Sequence, residues 1–87
     1  MAYDDREYGA LCYIDRLFSA GDRLSLDILR GLNEELTYSE IAERLFLSDS
    51  ALRYRIRNIF SGLGAVSRAD ARRLTGRYLM LGIHNLC

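Results

Sequence analysis

Apolar residues along this chain recur three or four positions apart rather than two, a spacing that predicts helices and no strands. The clearest stretch runs from Ser48 to Leu63. There Leu52, Ile56, Ile59, Phe60 and Leu63 gather on one stripe at about 100° per residue. Ser50, Tyr54, Arg57, Asn58 and Ser61 take the opposite side, with Arg53 and Arg55 on the flanks. Ser48 is placed to cap this helix through its hydroxyl, and Gly64 follows where a left-handed residue ends a helix.

The same periodicity lays out the rest of the chain. Residues 3–19 form a first helix with Tyr8, Leu11, Ile14, Leu17 and Phe18 as its stripe, serving as a linker or dimerisation helix or packing across its own domain, the usual fate of such a stripe. A second helix starts at Asp22, turns Leu24, Ile28, Leu29 and Leu32 inward, and closes in the polar turn Asn33-Glu34-Glu35. Thr37 with Glu40 makes a capping box that opens a third helix, whose buried face is Tyr38, Ile41, Ala42 and Leu45. Ala42 is small, as a close crossing of two helices requires. Only Phe46 and Leu47 separate this helix from the one at Ser48, and two helices on so tight a link make a helix-turn-helix pattern. Ser67 with Asp70 marks the start of a last helix from Arg68 to about Leu81. Ala71, Leu74, Tyr78 and Leu81 share one of its faces; Leu79, Met80 and Ile83 lie on another and are candidates for a dimer interface. The expected fold is all-α, a four- to five-helix bundle containing a helix-turn-helix, with residues 1–20 as an N-terminal linker or dimerisation helix and 21–87 as the helix-turn-helix domain.

Composition narrows the function. A chain of 87 residues without proline is long enough to bury roughly 60–65% of its unfolded surface in one core. No apolar run approaches the ~20 residues of a membrane span, and the N-terminus lacks the layout of a signal peptide, so a cytoplasmic protein is expected. Cys12 and Cys87 stand near opposite ends of the chain, and that spacing leads us to expect reduced thiols. His84 is the only histidine and has no Cys, His or Asp cluster around it, so neither a metal nor a cofactor is expected. No serine is spaced with a histidine and an acid in the manner of a nucleophile, and an enzyme is not expected.

Twelve basic and twelve acidic residues cancel, but they are segregated. Residues 1–50 hold eleven acids and five arginines, whereas residues 51–87 hold one acid and seven arginines. Within the Ser48–Leu63 helix, Arg53, Arg55 and Arg57 flank an exposed tyrosine with no acid among them, where ion pairs four residues apart would ordinarily balance the charge. Such a face suits an anionic partner.

From Thr37 to Ala71 the sequence resembles the DNA-binding domain of LuxR-type regulators, the output domain of many bacterial two-component response regulators. Glu40-Ile41-Ala42 matches that family's E-I-A core and Leu45-Phe46-Leu47-Ser48 its turn; Asn58-Ile59, Leu63 and Ser67-Arg68-Ala69-Asp70-Ala71 match the later landmarks. Ile28-Leu29 sits where the family has a V-L pair, so the likeness covers roughly residues 22–80. The chain departs from the pattern at Ala51-Leu52-Arg53 (T-V-K in the family), Arg55 (often histidine), Gly62 (lysine), Glu35 (glycine) and Ser25 (often glutamate). The resemblance implies a homodimer on double-stranded DNA, regulated through an N-terminal receiver domain outside this chain. It places Arg53, Tyr54 and Arg57 where base edges are read, and makes Ser48, Ser50, Arg55, Asn58 and Arg68 candidates for phosphate contact, Ser48, Arg55 and Arg68 alternatively for helix-end structure. Two other readings stand beside it: a sigma-factor-like promoter-binding domain, disfavoured by Phe46 at the turn and by the Ser67–Ala71 ending, and a helix-turn-helix interaction module that does not bind DNA.

Overall fold

The computed structural model describes residues 5–81, and side chains as far as Gly76. Five helices follow one another: α1 Asp5–Ala20, α2 Arg23–Asn33, α3 Tyr38–Leu45, α4 Asp49–Leu63 and α5 Arg68–Leu81. No strand occurs among the described residues, so the fold is all-α and contains a helix-turn-helix formed by α3 and α4. The candidate dimer surface at Leu79, Met80 and Ile83 lies outside the described side chains, as do His84 and Cys87.

Most helix ends close with the residues that local chemistry demands. The Asp22 carboxylate accepts from the Ser25 N–H at 3.2 Å and from its hydroxyl at 2.9 Å at the start of α2. Thr37 and Glu40 complete the capping box of α3 in both directions. The Ser67 hydroxyl accepts from the Asp70 N–H while the Asp70 carboxylate accepts from the Val66 N–H, which opens α5 in a related way. Two ends depart from the rule. Glu35 and Phe46 adopt left-handed φ values of 63° and 57°, a conformation that costs a non-glycine residue roughly 1–2 kcal/mol. At Glu35 the return is the Leu36 N–H reaching the Gly31 carbonyl at 3.4 Å across the end of α2.

The core is one cluster drawn from all five helices: Leu11, Ile14, Ile28, Leu29, Leu32, Ile41, Leu52, Ile59 and Leu74 are fully buried in it. Helix α1 packs against α2, α4 and α5, so its stripe of Leu11, Ile14 and Leu17 is core, although Tyr8 stays half exposed. Leu26, which the periodicity left off the inward face of α2, is buried as well. The close approach of α2 to α3 is made by Gly31, where an added Cβ would lie 2.9 Å from Ile41, rather than by Ala42 alone. Thr75 is buried without penalty, because its hydroxyl donates to the Ala71 carbonyl at 2.7 Å and accepts from the Asn33 amide at 3.1 Å. The cysteine expectation is corrected: Cys12 is disulfide-bonded rather than a reduced thiol. No described helix is long and apolar enough to cross a membrane.

Candidate nucleic-acid interface

Helix α4 is set by its two ends and by its buried stripe. The Ser48 hydroxyl accepts from the Ala51 N–H at 3.2 Å, and Gly64, at φ 74°, closes the C-terminus with its own N–H and that of Ala65 returning to the Ser61 and Phe60 carbonyls. Leu52, Ile56, Ile59 and Leu63 are buried, which fixes the rotation of the helix about its axis. Once that rotation is fixed, Ser50, Arg53, Tyr54, Arg55, Arg57, Asn58 and Ser61 are all exposed. Tyr54 leaves 63% of its surface to solvent, an unusual exposure for an aromatic with no packing duty.

The link to α3 is Phe46, Leu47 and Ser48. Leu47 is half-buried and its N–H bonds the Ala42 carbonyl at 2.9 Å, closing the C-terminus of α3 around the left-handed Phe46. Phe46 is 95% exposed beside the start of α4, which its place in an apolar turn did not foretell.

Electrostatically, α4 concentrates unpaired cations. Arg53, Arg55 and Arg57 have no carboxylate within ion-pairing distance among the described residues, a state that Arg16, Arg23 and Arg68 share singly on other helices, whereas Arg6, Arg30, Arg44, Arg72 and Arg73 each have one. Asp49 is the one acid on the helix and lies in its first turn, where it complements the helix dipole. The Asp70 carboxyl is held below the usual carboxylate range by the Val66 N–H and by Arg6, and that of Glu40 by the backbone and hydroxyl of Thr37. Both acids are therefore tied into helix starts rather than facing the basic side.

The candidate residues divide into two sets. Tyr54, Arg55, Arg57, Asn58 and Ser50 are exposed and make no described contact that ties them to the core, apart from a 3.4 Å approach between the hydroxyls of Ser50 and Ser48. Ser48 caps α4. Arg68 has a structural duty: its Nε and Nη2 donate to the Leu32 carbonyl at 3.3 and 3.1 Å and Nη2 also to that of Gly31 at 3.5 Å, satisfying the end of α2. Of the two roles expected for Arg68, phosphate contact or helix-end structure, the described bonds are those of the second. Arg53 lies between the sets, its guanidinium carbon 5.6 Å from the centre of the Tyr38 ring, which Arg68 also approaches at 5.6 Å. Tyr38 was not a candidate on the sequence, which gave it to the buried face of α3. Its position at the first turn of that helix, at the margin of the Ile41 and Ala42 stripe, was the only available signal.

At Gly62 the fold leaves no room for a side chain. An added Cβ would lie 2.3 Å from the Tyr13 ring, so α1 occupies the space that a larger residue on α4 would need. The half-buried Tyr13 phenol is pushed to higher pKa by that burial and by Asp22 nearby.

Residues 22–58 match the family model described as winged helix-turn-helix DNA-binding. The match spans less than half of the chain, taking in α2, α3 and α4 as far as Asn58. Beyond it the described chain continues as helix, with no strand of the kind that would form a wing. No curated protein and no solved structure matched the chain. The fold contains a helix-turn-helix, and residues 22–58 are similar to DNA-binding domains of that kind.

Proposed function

We propose that this chain is a sequence-specific DNA-binding transcriptional regulator acting in the cytoplasm, with α4 as the helix that enters the major groove. The observation that carries the reading is the face of α4: three exposed arginines without acid partners beside an exposed tyrosine, on the second helix of a tight helix-turn-helix. Tyr54 and Arg57 face outward for base contact; an arginine can bond guanine O6 and N7 together, worth ~1–3 kcal/mol of discrimination. Helix α3 braces α4 against the backbone. The finer reading is an output domain of the LuxR type, working as a homodimer on two half-sites about one turn apart and governed by a receiver domain outside this chain. The residue matches from Glu40 to Ala71 support it, and so does a fourth helix, α5, following the α2–α4 unit.

Titration of the protein against fluorescently labelled random-sequence duplex at several salt concentrations tests the reading. Neutralising ~4 phosphates per monomer gives a log–log slope near −4. Salt-dependent binding justifies selecting a preferred duplex from a random pool. Absence of binding at low salt overturns the reading in favour of an interaction module.

A further inference from the structure

The Tyr38 ring gathers two cations from two different helices. Its centre lies 5.6 Å from the guanidinium carbon of Arg53, on α4, and 5.6 Å from that of Arg68, in the first turn of α5. Neither arginine has a carboxylate within ion-pairing distance among the described residues. An aromatic face attracts each guanidinium only weakly and leaves its charge unneutralised, so the surroundings of the ring stay positive and favour an anion. The site is also braced. Arg68 is anchored by three bonds to the carbonyls of Gly31 and Leu32, and half-buried Tyr38 is the first residue of α3, while Arg53 is exposed with the ring as its one described partner.

Position on the motif identifies the anion. The first helix of a helix-turn-helix crosses the DNA backbone while the second reads the groove. Tyr38 belongs to the first, so an arginine resting on it is held where the backbone passes rather than extended toward base edges. Tyr54 and Arg57 have no such tether.

We propose that Tyr38 is a positioning residue that holds Arg53 as the seat for one DNA backbone phosphate, with Arg68 adding positive charge around the same ring. Arg53 then grips the backbone, and discrimination between bases falls to Tyr54 and Arg57. This assignment rests on the DNA-binding reading above and moves Arg53 out of the base-reading set.

The test compares Tyr38→Leu, Tyr38→Phe, Arg53→Gln and Arg57→Ala in the full chain. Each variant is checked for folding by thermal melt, then titrated over a salt series against the selected duplex and a random duplex. Tyr38→Leu and Arg53→Gln should weaken both duplexes by the same factor, about three- to tenfold, and Arg53→Gln should flatten the salt slope by about one. Tyr38→Phe keeps the ring and should bind as the parent does. Arg57→Ala should instead reduce the preference for the selected duplex. The proposal is overturned if folded Tyr38→Leu binds unchanged, if Tyr38→Phe is as weak as Tyr38→Leu, or if Arg53→Gln weakens chiefly the selected duplex. Should Tyr38→Leu fail to fold, Arg53→Gln, at an exposed position, decides by the same readouts. A parent chain that binds no duplex overturns this proposal and the DNA reading together; salt-dependent parent binding with an unaffected Tyr38→Leu overturns this one alone.

Discussion

The outward face of α4 and the seam between α1 and α5 beside its C-terminal end treat the same kind of surface differently. Along the face of α4, Arg53, Arg55 and Arg57 stand without acids, while the seam pairs its charges. At that seam Arg6 bonds both the Gly64 carbonyl and the Asp70 carboxylate, and Arg73 approaches Asp70 at 3.4 Å. Exposure does not distinguish the two populations: the paired side chains of Arg6 and Arg73 remain 47% and 54% accessible. The difference lies in where the acids were put. Surface ion pairs contribute little, about 0–1 kcal/mol each, so withholding acids from the outward face costs the fold almost nothing while leaving a positive surface for a partner.

The largest effect expected from breaking this contrast is on binding. Reversing Arg53, Arg55 and Arg57 together to glutamate should lower duplex affinity by about a hundredfold or more at low salt, while Arg30→Gln and Arg73→Gln should stay within about threefold. Comparable losses in both sets, measured by fluorescence titration, would remove the distinction.

The seam should answer to packing before charge. Gly62→Lys forces a side chain into the Tyr13 ring and should destabilise the protein by about 1–3 kcal/mol in urea melts. Removing the ring as well, with Tyr13→Ala, should make the lysine nearly neutral relative to Tyr13→Ala alone.

Asp70→Asn sharpens the electrostatic side. The folded-state pKa of Asp70 is depressed, so its stabilisation is present above the ordinary carboxylate pKa and is lost as the pH falls through the lower folded value. The variant should melt below the parent at pH 7, and the two curves should converge as the pH drops below about 4. Parallel curves down to strongly acidic pH would show that Asp70 does not supply the acid limb.

The smallest change is at the end of α2. Glu35→Gly relieves a left-handed φ of 63° and sacrifices only an exposed 3.3 Å pair with Arg72, so a gain of about 0.5–1 kcal/mol in the same melts is expected. A loss instead would mean that the Arg72 pair outweighs the backbone strain.

What the sequence showed was what a few consecutive residues decide. The capping box at Thr37 and Glu40, the caps at Ser48 and Gly64, the start at Ser67 and Asp70 and the solvent face of α4 all depend on contacts within four or five positions, and the spacing exposed them. Features made between helices were not legible. That Gly31 meets Ile41, that the carbonyls served by Arg68 are those of α2, that Arg53 rests on Tyr38 and that Cys12 is disulfide-bonded depend on which faces the fold brings together, and no periodicity encodes that. Glu35 was visible as an anomaly, an acid where glycine serves better, but only the backbone angle shows that the conformation survived the substitution.

The seating of Tyr13 against Gly62 also constrains how this chain can change over generations. Position 62 cannot acquire even an alanine while the ring stays where it is, since the first added carbon already collides with it. A lineage that acquires a lysine at 62 has to alter position 13 first, and one that acquires the aromatic at 13 has to surrender the side chain at 62 beforehand. The order of mutations is thus imposed by contact, and α1 and α4 are bound to diversify as a pair.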